Sequence, residues 1–218
     1  MRERSLVDIA VIKLPMASSL KDFSLLSKEG GVTLKYVEKS GKVGNPRLLI
    51  IPGSRDTIRD ITFLKESGIA DRIRELEKKK KTVILGISGG FQMLGSKIID
   101  IKGSEYRLSK CGGLNFLNIV TRIMPSCVAS DVEVLPSKNF DSKIGGPNGC
   151  INGFETHSGR TKYLNGSEPI FMIKKRDGKN VEIPDGAMNK KGNVLGTYIH
   201  GIFDNENFRK RFLQYLAQ

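Results

Sequence analysis

The 218-residue chain has no tryptophan, only two histidines and only three cysteines. Cys111, Cys127 and Cys150 are odd in number and widely separated. They form no Cys-x-x-Cys pair and no ligand spacing with His157 or His200, which argues against a metal site and for reduced, structural thiols. Nowhere does the sequence approach the ~20 consecutive apolar residues of a membrane-spanning helix. Residues 1–6 lack the apolar segment of a signal peptide, so the expectation is a cytoplasmic protein without membrane contact. Aromatics make up 7% of residues and are not interleaved with basic ones, so no platform for stacking single-stranded bases is evident. The net charge of +13 is therefore read without nucleic acid, as a solvated surface able to attract an acidic partner or substrate.

What is present is an alternation. Residues 8–14, ended by Pro15, read as a first strand, followed by residues 32–37, 48–51 and 83–87. Between the last two lie helical periods, Ile58, Ile61 and Leu64, then Ile69, Ile73 and Leu76, with a break expected at Gly68. The lysines at 78–81 close that second helix, where cations are favourable. Continuous apolar strands alternating with amphipathic helices predict an α/β fold, a mainly parallel sheet covered by helices on both faces. Phe23, Leu25 and Leu26 read as a short amphipathic connection, and residues 38–46 as a polar loop. Beyond about Lys102 the texture changes: residues 120–135 are β-rich, 141–150 form a loop or hairpin region, and Asp177-Gly178 suggests a hairpin turn. A last strand over residues 194–199 precedes a helix carrying Phe208, Phe212, Leu213 and Leu216. No repeat or long linker divides the chain, which gives one domain over residues 1–218.

The most distinctive stretch is Gly86-Ile87-Ser88-Gly89-Gly90-Phe91-Gln92-Met93-Leu94-Gly95. A strand, a sharp turn and a helix start follow one another, the layout of a nucleophile elbow with Ser88 pushed out at the turn. The glycines admit close backbone approach or positive φ. The helix start directs backbone N–H groups and a positive dipole end at whatever sits over Ser88. Gly53 and His200 also sit at strand ends, so the three share one rim of the sheet, where sites in open α/β sheets lie. A histidine there can serve as general base and then as general acid to a leaving amine.

Four segments carry a family resemblance. Gly-Ile-Ser-Gly-Gly-Phe-Gln-Met-Leu-Gly at 86–95 is similar to the nucleophile segment of class I glutamine amidotransferases of the cobyric acid synthase type, with serine in place of cysteine. Pro52-Gly53-Ser54-Arg55-Asp56-Thr57, Gly153-Phe154-Glu155-Thr156-His157-Ser158-Gly159-Arg160-Thr161 and Gly196-Thr197-Tyr198-Ile199-His200-Gly201-Ile202-Phe203-Asp204 resemble further segments of that family, in order along the chain. The resemblance implies a flavodoxin-like glutamine amidotransferase fold and a glutaminase that supplies ammonia to a carboxylate amidation on a corrinoid precursor, in cobalamin biosynthesis. It implies Ser88 at the nucleophile position, His200 as its base, Gly53 and Gly89 as donors to an oxyanion, and Gln92 shaping the glutamine pocket. Glu155 and His157 match a family segment, with structural hydrogen bonding as the alternative reading. No cofactor is implied within this domain; ATP and Mg are expected on a partner synthetase, because the family's phosphate-binding loop has no counterpart here.

Two departures shape the functional expectation. A serine hydroxyl is far less acidic than a thiol, which titrates near ~8.5, and needs a strong positioned base. Many class I members orient the histidine with a glutamate two residues later; that position is Ile202, which argues against a Ser-His-acid triad. The chain as written is therefore expected to hydrolyse glutamine weakly or not at all. The alternatives are a glutamine-binding or assembly module, the glutaminase subunit of a synthetase amidating cell-wall lipid II, and a serine hydrolase, for which chain order leaves Glu155 or Asp185 as the acid.

Overall fold

The computed structural model describes residues 7–101, 110–144 and 149–218. A six-stranded sheet runs in the order Ala187–Met188, Val194–Thr197, Val83–Ile87, Leu48–Ile51, Val7–Ile12, Val32–Val37. Every neighbouring pair is parallel except the edge strand Ala187–Met188, which runs antiparallel to Val194–Thr197. The inner strands are continuously apolar because both faces are covered. Leu48, Ile50, Leu85 and Ile87 face one core, and Leu49, Ile51 and Ile84 the other.

The second of these cores is closed by helices. Thr57–Glu66 and Ile69–Lys79 bury Ile58, Ile61, Leu64, Ile69, Ile73 and Leu76. Gly68 separates them in a left-handed conformation, as the sequence break predicts. Asp56 caps the first helix by accepting from the Arg59 N–H at 2.9 Å. On the opposite face the helix Glu206–Leu216 contributes Phe208, Phe212, Leu213 and Leu216, and shares the covering with a second sheet.

That second sheet is mostly antiparallel: Lys179–Asp185, Phe171–Arg176, Ile119–Pro136, Ile151–Tyr163 and Ile199–His200, with Lys97–Asp100 and Lys110–Gly112 joined at one side. The β-rich stretch expected at 120–135 is one long strand, and the Asp177-Gly178 hairpin is present. The expected loop at 141–150 instead begins as the end of a helix, Lys138–Ile144, and its residues 145–148 lie outside those described. Residues 1–6 and 102–109 do so too. The run at 194–199 is not a single strand: its first part belongs to the parallel sheet and its end to the antiparallel one, with the switch at Tyr198. No helix among the described residues is long and apolar enough to cross a membrane.

One close approach fixes how the elbow joins the sheet. A side chain at Gly90 would overlap the Ile51 carbonyl oxygen, and one at Gly86 would lie 2.6 Å from the Gly90 carbonyl. Gly90→Ala should therefore cost on the order of 3 kcal/mol or more, because backbone rather than a flexible side chain has to move. Gly41→Ala, with open space around it, should shift stability by less than ~0.5 kcal/mol. Urea unfolding of the two variants checks the contrast; equal losses would show that the crossing tolerates a Cβ.

Candidate functional site

The strand Val83–Ile87 and the helix Gly89–Leu94 meet at Ser88, which adopts φ 51° and ψ −110°. A non-glycine residue in that region carries strain of roughly 1–3 kcal/mol and is held there by its surroundings. The turn is thus the expected elbow, with one correction: the positive φ falls on Ser88 itself, while Gly89 and Gly90 serve close approach. The Ser88 N–H donates to the Thr197 carbonyl at 2.8 Å. Its carbonyl accepts from the Gln92 N–H at 3.2 Å. The hydroxyl donates to the Thr156 carbonyl at 3.5 Å, a long contact, and no hydrogen bond joins it to His200.

Gly53 and Ser54 lie beside the elbow. A Cβ on Gly89 would sit 2.8 Å from the Ser54 nitrogen, and one on Gly53 would sit 3.5 Å from His200 Cε1. This rim is pinned from below by Asp60, whose buried carboxylate accepts from Ser54 Oγ at 2.6 Å and from the Met16 N–H at 3.0 Å. Burial pushes the Asp60 carboxyl above its ordinary value.

His200 is almost fully buried, and its Nδ1 lies 2.7 Å from Asp22 Oδ2. Nε2 is buried without a partner among the described residues. An imidazole oriented by a carboxylate on one nitrogen and open on the other is the arrangement of a general base. Here Ile202 proves a poor guide: the acid is not two residues downstream but on the short turn Leu20–Phe23, 178 positions away in sequence. Phe154 stacks on the same imidazole, ring centroids 4.9 Å apart.

Gln92 is buried with its amide already engaged, Oε1 accepting from Thr57 Oγ1 at 3.1 Å. Glu155 and His157 form a brace. Glu155 lies 2.7 Å from Arg176 Nε and 3.1 Å from His157 Nε2, and the other His157 nitrogen lies 2.8 Å from the Gly159 carbonyl. The His157 ring stacks on Tyr198 at 3.8 Å between centroids. Asp185 is equally committed: it accepts from the Thr197 hydroxyl and from the Tyr198 N–H, the latter at 3.1 Å. Neither Glu155 nor Asp185 bonds His200, so neither is the acid that a serine-hydrolase reading needs. Two of the three cysteines, Cys127 and Cys150, are exposed rather than packed.

The architecture defines a class first. The chain superposes on a chain of the PurLQS structure from Thermotoga maritima with a TM-score of 0.73 at 20% identity, covering 97% of this chain and 99% of that one. It also superposes on a crystal structure of a glutamine amidotransferase with a TM-score of 0.68 at 18% identity, over 96% and 98% of the two chains. Sequence then narrows the class. Residues 8–208 match the CobB/CobQ-like glutamine amidotransferase domain, and the chain belongs to that family. It is 39% identical over 210 residues to a cobyric acid synthase of Clostridium botulinum and 40% identical over 209 residues to one of Dehalococcoides mccartyi. These alignments cover 96% and 95% of this chain, but it spans only 41% of the length of those relatives.

Buried Asp185 sets a pH dependence. Burial is the dominant cause that pushes its carboxyl up to about 6, against a usual aspartate value near ~3.9. The folded chain therefore binds this proton more tightly than the unfolded one. Its contribution to stability grows as pH falls from 7 towards 4 and is lost as pH rises through about 6. Subtracting the unfolding free energy of Asp185→Asn from that of the parent should give a difference that increases between pH 7 and pH 4.5. A difference constant across that range would contradict the assignment.

Proposed function

We propose that this chain is the glutaminase module of an ATP-dependent amidating system, acting on carboxylates of a cobyrinic-acid-type corrinoid, and that it is silent as written because Ser88 stands at the nucleophile position. The observation that carries the reading is the Asp22–His200 pair on the same rim as the strained elbow. The identity to cobyric acid synthases supports the corrinoid substrate, and the share of their length outside this chain leaves room for the ATP- and Mg-dependent synthetase.

In this reading a thiol at position 88 attacks the side-chain amide carbon of glutamine. The proton passes to His200 Nε2, and the developing oxyanion is held by N–H groups at Gly53 and Gly89. His200 then protonates the leaving ammonia, a γ-glutamyl thioester remains, and water hydrolyses it to glutamate. Asp22 holds the imidazole in the tautomer whose Nε2 accepts. Gln92, Glu155 and His157 brace the pocket walls.

A second reading, a glutamine-binding module that keeps the pocket without turnover, is favoured by one observation. The Ser88 hydroxyl is directed at the Thr156 carbonyl and not at His200.

Ammonia release from glutamine, with intact-mass measurement after exposure to a glutamine-like chloroketone, separates these readings. Ser88→Cys should be labelled, be protected by glutamine, and hydrolyse glutamine at least about 10²-fold faster than the parent. Adding Asp22→Asn to that variant should lower the rate again by on the order of 10²-fold. Equal turnover by the parent and Ser88→Cys would refute the silence. Glutamine binding without labelling of either protein would favour the binding module.

A further inference from the structure

We infer that Asp185 is a positioning residue for the nucleophile and base: its carboxylate ties together the two places where the chain crosses between the sheets, and so sets where Ser88 and His200 stand.

The first crossing is Asp185-Gly186. Asp185 ends the antiparallel strand Lys179–Asp185, and the chain then enters the parallel sheet as Ala187–Met188. The second is Tyr198, where Val194–Thr197 leaves the parallel sheet and Ile199–His200 joins the antiparallel one. The crossings lie in contact. Gly186 has φ 70°, and a Cβ there would overlap the Gly196 carbonyl oxygen.

A strand that changes sheets strips its amides of ladder partners, and buried amides need replacements. Asp185 supplies them. Its Oδ1 accepts from the Tyr198 N–H at 3.1 Å and its Oδ2 from the Thr197 hydroxyl, which in turn accepts from the Ile199 N–H at 3.1 Å. All three residues at this crossing are thereby held by one carboxylate.

Both reacting positions hang from the same crossing. The Thr197 carbonyl takes the Ser88 N–H at 2.8 Å. Two residues beyond Tyr198 stands His200, whose strand pairs Ile199 with Glu155 and His200 with Phe154. Glu155, His157 and Tyr163, all from the strand Ile151–Tyr163, line one cavity together with Asp185. A carboxylate kept 4% exposed among such groups is costly unless its bonds are needed. It touches no reacting atom and acts only through Thr197 and Tyr198.

This inference rests on Ser88 and His200 as nucleophile and base, but not on glutamine as substrate. The test is accordingly alkylation by iodoacetamide, which needs no glutamine pocket. In Ser88→Cys, the rate at position 88 would be followed by peptide mass from pH 5.5 to 9, with melting temperature measured in parallel. A thiol beside a placed imidazole should titrate below the ~8.5 of a free thiol, and His200→Ala should return it there. Adding Asp185→Asn or Thr197→Val should raise the midpoint by about one pH unit in a folded protein, roughly tenfold in rate at pH 7, whereas Thr197→Ser should keep the parent profile. Should Asp185→Asn fail to fold, the Thr197 pair decides. Unchanged profiles in the folded Asp185→Asn and Thr197→Val variants would overturn the inference and leave Asp185 a purely structural group. If Ser88→Cys itself titrated as a free thiol, unaffected by His200→Ala, the nucleophile–base reading would fall first, and the inference with it.

Discussion

The structure depends on how closely the elbow helix approaches the sheet. Gly86, Gly89 and Gly90 let the helix Gly89–Leu94 cross the ends of two strands at backbone contact, with Ile51 on one side and Ser54 on the other. Close packing of this kind transmits position, because neither backbone can yield without moving a strand. The strained torsions of Ser88 lie at that crossing, between the parallel-paired strands Leu48–Ile51 and Val83–Ile87. Asp60 then fixes the adjoining rim by bonding both Ser54 and Met16.

Much of this was legible in the sequence because its signals are local. The apolar runs at 48–51 and 83–87, the helical spacing from Ile58 to Leu76 and the break at Gly68 reappear in the fold. So does the glycine pattern after Ser88. What was not legible is non-local. Asp22 sits on a 3₁₀ turn whose sequence signals only an amphipathic connection, and nothing near His200 points to a carboxylate 178 positions away. The apolar run at 194–199 reads as one strand because its one glycine, Gly196, falls inside the strand Val194–Thr197 and not at the switch. The amides at the switch are bonded by the Asp185 carboxylate and the Thr197 hydroxyl, partners that local propensity does not reveal. The segment around Glu155 and His157 was recognisable as a pattern, but its purpose depends on Arg176 from the neighbouring strand and on the Tyr198 ring.

The second sheet is therefore more than a cover for one face of the first. It supplies Glu155, His157 and Arg176 as a polar brace, Thr156 as the acceptor for the Ser88 hydroxyl, and Ile199–His200 as the last strand. A buried ion pair adds little stability once desolvation is counted, and its best-attested use is to fix one arrangement over another. Around Tyr198 the fixed arrangement joins the two sheets. The Tyr198 hydroxyl bonds Thr161 at 2.7 Å, and its ring packs edge-on against Phe91 of the elbow helix. Burial, above all, raises that phenol to about 12, so it remains neutral across ordinary pH.

In the proposed reading, strain and silence have separate origins. The torsions at Ser88 are dictated by the glycine crossing, so they persist whichever atom the side chain carries. The Asp22–His200 pair is likewise formed without any hydrogen bond to the side chain at position 88. Only the last link is chemical. A hydroxyl keeps its proton and shares it with a neutral carbonyl, whereas a thiol beside an oriented imidazole can surrender its proton and become the nucleophile. The Thr156 carbonyl is such a neutral acceptor, and the orphaned His200 Nε2 is the base such a thiol would meet. On that proposal, the base and its carboxylate are in place and the interruption lies at the single side-chain atom of position 88.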